Sequence, residues 1–223
     1  KAGLGDKMAV VERTTSMVVQ EQKISNEEQK HSTAIDSSDL FDLDYLIHEY
    51  FHDKSLERRI KLRKVIASNA KHYKFILKIL EFSRLGCFID GYDAGVDLLA
   101  EFDTLKLHNQ AFQYLKSINN YLIEKSSNPK TVRQIEDFWE ILIKGTSCAY
   151  KVLAEERLTA IQAIRTVSRR RLIKTAIIDA LVTIAEDLED IEPVKNFLDL
   201  YTSEQESDIY VRDYAREALD DLE

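Results

Sequence analysis

His48-Glu49-Tyr50-Phe51-His52 has the spacing H-E-x-x-H. On a helix, residues four apart lie on one face a turn apart. Two imidazoles so placed could share Zn²⁺, while Glu49 takes a proton from the metal-bound water, which is the chemistry of a zinc-dependent hydrolase. The surroundings argue against it. The longest form of the pattern requires Gly at position 55 and His at 58, where this chain has Ser55 and Arg58, and Asp53 puts a charge beside the second histidine. A third ligand would have to be Glu81 or another downstream Glu. His48, Glu49 and His52 are therefore expected to be ordinary residues of a helix, with neither metal nor cofactor.

Other reactive patterns are missing. Neither GxxxxGK[ST] nor GxGxxG occurs, so the loops that usually cradle phosphates are absent and nucleotide hydrolysis is not expected. Gly86, Gly91 and Gly95 bracket Cys87-Phe88-Ile89-Asp90, a spacing that suits a helix stop and a tight turn. Cys148 has no histidine near it in sequence and reads as a buried thiol. Trp139, beside Phe138 and before Ile141 and Leu142, reads as a core anchor. A non-enzymatic protein is the expectation.

Charge is the more informative signal. Lys54 to Lys74 holds eight basic residues against Glu57, and Arg165, Arg169, Arg170, Arg171 and Lys174 form a second cluster. Asp179 to Glu223 holds fifteen acids against Lys195, Arg212 and Arg216, in a chain whose net charge is −8. The overall sign excludes a protein that coats nucleic acid with its whole surface, but the belts 54–74 and 165–174 could contact an acidic partner. Arg58, Arg59, Arg63, Lys64, Arg169, Arg170 and Arg171 are the candidate binding residues. The helical period of the first belt directs Ile60, Leu62, Val65 and Ile66 inward and leaves Arg59, Arg63 and Lys64 exposed.

Six Gly and two Pro in 223 residues are too few for a sheet with many tight turns, and 44% hydrophobic residues suffice for a sizeable core. No apolar run approaches the length of a membrane span. Two cysteines without a CxxC suit a reducing, cytoplasmic setting. Residues 1–38, rich in Ser, Thr, Gln and Glu, read as a flexible linker or arm. The initial Lys1 suggests one module of a larger chain. From 39 to 223 apolar residues recur at helical spacing, giving about ten helices with short connections, and hence an all-α domain of stacked antiparallel hairpins.

The C-terminal hairpin carries a resemblance. Pro193-Val194-x-x-Phe197-Leu198-x-Leu200, followed by Asp208-x-x-Val211-Arg212-x-x-Ala215-x-x-Ala218-Leu219, resembles a HEAT repeat like those of the phycobilisome lyases. Val211, Ala215, Ala218 and Leu222 share one face, directed at the helix begun by Pro193. Arg157-x-x-Ala160-x-x-Ala163-Ile164 repeats part of the second-helix pattern 55 residues earlier, and Arg59-x-x-Leu62-x-x-Val65-Ile66 repeats less of it. That offset exceeds the ~40–47 residues of a regular HEAT period. The resemblance covers the last ~30 residues well and ~70 in part, and it implies an irregular HEAT-like, armadillo-type α-α superhelix. In that family the Asp and the Arg after Val hold successive repeats together, which gives Asp208 and Arg212 structural roles. Such superhelices offer extended concave surfaces. The function expected is an interaction scaffold whose partner is another protein, with an acidic surface. The alternatives are a nucleic-acid-binding module using the two belts, and the zinc hydrolase at 48–52. Sequence does not specify an oligomeric state.

Overall fold

The computed structural model describes residues 37–85, 91–125, 128–165 and 170–222. Among them are ten helices and no strand: α1 (Ser37–His52), α2 (Leu56–Asn69), α3 (Lys74–Leu85), α4 (Gly91–Ala100), α5 (Lys106–Lys125), α6 (Pro129–Ser147), α7 (Ala154–Ala163), α8 (Arg171–Ala185), α9 (Glu192–Thr202) and α10 (Ile209–Asp220). Phe41–Glu223 is one compact unit, described here by itself; of the other, Lys1–Leu40, the described residues are Ser37–Leu40 at the start of α1. The arm expected over 1–38 otherwise lies outside the described residues.

Several helix starts follow from local chemistry. Ser55, Asn128 and Asp208 hold extended backbone angles before α2, α6 and α10, and each side chain accepts a hydrogen bond from a backbone N–H of the first turn. Such caps satisfy donors that have no partner within the helix. Pro129 occupies the first position of α6, where its missing N–H costs nothing.

The helices pack in a regular order. α2 contacts α4, α4 contacts α6, α6 contacts α8 and α8 contacts α10, so alternate helices form a continuous row. The intervening helices lie against that row: α3 on α4 and α6, α5 on α6, α7 on α6 and α8, α9 on α8 and α10. α6 is central, with Trp139, Leu142 and Ile143 fully buried and the Trp139 ring stacked on Phe112 of α5 at 5.7 Å. α1 joins through Tyr50, whose hydroxyl donates to the Ala94 carbonyl at 2.7 Å, and through Phe51, stacked on Phe82.

Two glycines set the spacing within the row. A Cβ on Gly145 would come within 2.5 Å of Leu99 Cβ, and one on Gly95 within 2.7 Å of Ser83 Cβ. Their bare backbones let α6 approach α4 and α4 approach α3. Gly91 begins α4 and Gly95 lies within it, and α6 runs through Gly145 to Ser147. The proposed stop at Gly86 and the turn residues Cys87 to Asp90 lie outside the described residues.

At the C-terminus Val211 and Ala215 are fully buried and Ala218 nearly so, as the one-face pattern predicts, whereas Leu222, past the end of α10, is half-buried. Ala215 has no exposed surface where α10 meets α8 and α9. Ala215→Leu is expected to cost about 1–3 kcal/mol by overpacking, read as a lower melting temperature; an unchanged melt would mean that the helices are not closely apposed there.

Candidate functional site

α1 brings His48 and His52 together, but as a stacked pair with ring centroids 3.9 Å apart. The His52 Nδ1–H donates to the His48 carbonyl at 2.7 Å, and His48 meets the edge of Phe82. Glu49, the would-be general base, accepts from Arg58 at 3.1 Å. Among the described residues no group of three or more His, Cys, Asp or Glu side chains is arranged to hold a metal ion. Cys148 is half-buried beside Ser147, and Trp139 is fully buried, as an anchor should be.

The basic belts take a different form from the one expected of a free cationic surface. Arg58 is exposed but pairs with Glu49 at 3.1 Å and Asp53 at 2.9 Å. Arg59 is half-buried with its guanidinium 5.7 Å above the Tyr50 ring, and Arg63, 22% exposed, reaches Asp97 and Glu101 at 2.9 and 3.5 Å. Arg59 and Arg63 are thus not the exposed set. The exposed basic positions of the belt are Lys54, Arg58, Lys61, Lys64, Lys71 and Lys74, the apolar Val65 is exposed as well, and on α2 the buried residue is Ile66. The cause is that α2 meets α4 through Arg63 and the acids of α4, which rotates the arginine side toward the fold. Lys61 pairs with Glu57 one turn away, while Lys64 enters none of the ion pairs found among the described residues. Burial and the nearby Asp97 push the Tyr50 phenol up to about 12, against the opposing pull of Arg59 and Arg63.

The second belt is also engaged. Arg171 makes a two-pronged contact with Asp208 at 2.9 and 3.1 Å, and Lys174 binds both oxygens of Glu206 at 2.6 and 2.7 Å. Arg170 lies 3.9 Å from Glu136. Arg169 lies outside the described residues. Asp208 therefore caps α10 and ties it to α8 in one stroke, which is a structural part. Arg212, half-buried, holds its Nε out of solvent without a hydrogen-bond partner.

An open groove of about 570 Å³ lies between α5 and α7. Leu105, Asn109, Phe112 and Gln113 form one wall; Glu155, Glu156, Thr159, Ala160, Ala163 and Ile164 form the other. The two helices each pack on α6, and their separation leaves the gap. Leu105 and Ala160 continue below it into a buried cluster with Ala149 and Val152. Glu155 and Glu156, both exposed, provide the charge of the lining and enter none of the ion pairs found among the described residues. The sequence reading made Ala160 and Ala163 part of a repeated second-helix pattern and missed the groove; the available signal was the run of small residues Thr159, Ala160 and Ala163 on one side of α7.

Compared with protein-family models, curated proteins and solved structures, the chain matches none of them. No helix among the described residues is long and apolar enough to cross a membrane.

Proposed function

We propose that the chain is a non-enzymatic, cytoplasmic protein-binding scaffold, an irregular HEAT-like superhelix. The observation that carries this reading over the nucleic-acid alternative is the internal pairing of several of the belts' cations, four of the candidate binding arginines among them. Arg58, Arg63, Arg170, Arg171 and Lys174 each face a carboxylate from the fold itself. A phosphate backbone would have to displace those carboxylates, and compensated cations release few counterions when they bind nucleic acid. The alternate-helix row and the resemblance of the last hairpin support the superhelix; Asp208 ties α10 to α8 through Arg171, while Arg212, the other residue the resemblance names, enters none of the ion pairs found among the described residues. Stacked histidines and a Glu49 already engaged by arginine favour a scaffold over the hydrolase. An acidic partner would have the exposed Lys54, Lys64, Lys71 and Lys74, which enter none of the ion pairs found among the described residues, beside the partly compensated Arg58 and Lys61; the open groove is the surface with a defined concavity.

The test is a parallel selection against the immobilised chain at physiological salt, with a random peptide display library on one side and a random oligonucleotide pool on the other. Enrichment of peptides and none of oligonucleotides is expected. Saturable oligonucleotide binding that weakens steeply with salt, with no peptide enriched, would replace the scaffold by the nucleic-acid module.

A further inference from the structure

The lining of the groove between α5 and α7 defines the chemistry of its occupant. The lining runs from Leu105, just before α5, to Gln113 and from Glu155 on α7 to Ile164, just past its end, so both walls extend about 12 Å at 1.5 Å per residue. That is more than two turns. The apolar residues of the floor, each buried, lie two turns apart on one side, Leu105 and Phe112, and one turn apart on the other, Ala160 and Ile164, while Asn109, Gln113 and Thr159 stand at the exposed margins. A long open trough with an apolar floor suits an amphipathic helix, whose side chains at i, i+4 and i+7 enter from above.

Charge selects among such helices. Glu155 and Glu156 stand in the first turn of α7, at one end of the trough. The nearest cation in sequence, Arg157, points away into the fold, where it binds the Ser147 carbonyl and Asp187. The lining therefore carries negative charge at one end and no positive side chain. We infer that this groove docks a basic amphipathic helical segment of a protein partner, its apolar stripe on Leu105, Phe112, Ala160 and Ile164 and its Lys or Arg residues against Glu155 and Glu156. The inference rests on the protein-scaffold reading. It gives the partner at this surface the sign opposite to that expected from the belts.

The probe is a labelled synthetic helix with Leu at i, i+4 and i+7 and three Lys at one end, followed by fluorescence anisotropy at physiological salt. A counterpart carries Glu in place of Lys. Two groove variants, Ala163→Trp to fill the trough and the pair Glu155→Lys with Glu156→Lys to reverse its charge, sit at exposed positions, and melting curves confirm that they fold. Asp220→Lys with Asp221→Lys at the end of α10 makes the same charge change elsewhere. Saturable binding of the Lys peptide, weakened at least tenfold by both groove variants and unaffected by the α10 pair, with much weaker binding of the Glu peptide, is the result expected. Equal loss in the α10 pair, indifference to the groove variants, or no saturable binding would overturn the inference. The scaffold reading would still stand if the display selection returned peptides of another kind, so the two failures are distinguishable.

Discussion

Asp187→Ala is expected to destabilise the fold by about 3–5 kcal/mol, although the side chain it removes is 39% exposed. The effect falls on the other partner. Arg157 in α7 is 2% exposed, with one guanidinium nitrogen 2.6 Å from the Ser147 carbonyl at the end of α6 and another 2.7 Å from Asp187, just past α8. Its Nε is buried without a partner, and the Tyr150 ring lies 5.3 Å from the guanidinium carbon. Removing Asp187 leaves a buried cation facing only a carbonyl and a ring face, neither of which carries a full charge. Arg157→Met keeps the aliphatic stem and leaves a carboxylate that water can solvate, so it should cost less, about 1–3 kcal/mol. The pair Arg157→Met with Asp187→Leu should be more stable than Asp187→Ala, since no charge is stranded. Urea unfolding of the three variants tests the order. If Asp187→Ala costs under about 1 kcal/mol, the guanidinium reaches water and Arg157 is not the tie between α6, α7 and α8.

The same arginine shows where sequence stops being informative. Its spacing to Ala160 and Ala163 marks it as part of a repeated pattern, but Asp187 is thirty residues away and nothing local announces the pair. The helices themselves were legible, because an apolar stripe such as Phe75, Ile76, Ile79 and Leu80 can be buried along its length only by a helix, and all four are buried. α2 was the weak case. Its apolar residues are interleaved with arginines whose stems are themselves buried, so hydrophobicity pointed Val65 inward when it is 44% exposed. The belts were visible as runs of charge, yet Arg63 with Asp97, Arg170 with Glu136 and Lys174 with Glu206 pair residues thirty or more positions apart, brought together by packing. The packing role of Gly145 has no local signal because what it admits, Leu99, lies on α4. The groove needed two helices some fifty residues apart, both seated on α6. Local pattern thus gave the elements and their inward faces, whereas the candidate site depends on which elements meet.

His108 gives the largest expected response to pH. Its ring is completely buried beside Phe102, and it shares a 2.9 Å hydrogen bond between Nδ1 and Thr146 Oγ1. The Thr146 hydroxyl proton is directed to the Leu142 carbonyl, so Thr146 accepts from the histidine, which is neutral and protonated on Nδ1. Burial lowers its pKa from 6.5 to about 4, against the opposing pull of the Leu99 backbone. A group whose folded pKa is depressed stabilises the fold above its unfolded value, and that stability drains as pH falls from 6.5 toward 4. For these values the loss between pH 8 and pH 5 is about 2 kcal/mol. His72, lowered by burial and by Lys74, acts in the same direction. Glu140, raised by burial, acts in the opposite one, because protonation relieves it. Asp208, held low by Arg171 and ordinarily near 3.8, contributes its loss below this window. His108→Gln can still donate to Thr146 but cannot take up a proton, so its stability should fall by about 2 kcal/mol less than that of the unaltered chain over the same interval, whatever its stability at pH 8. Denaturant unfolding at pH 8, 6.5 and 5 reads the difference directly. Parallel curves for the two proteins would mean that the acid sensitivity of the fold lies elsewhere and that His108 can be charged without leaving the core.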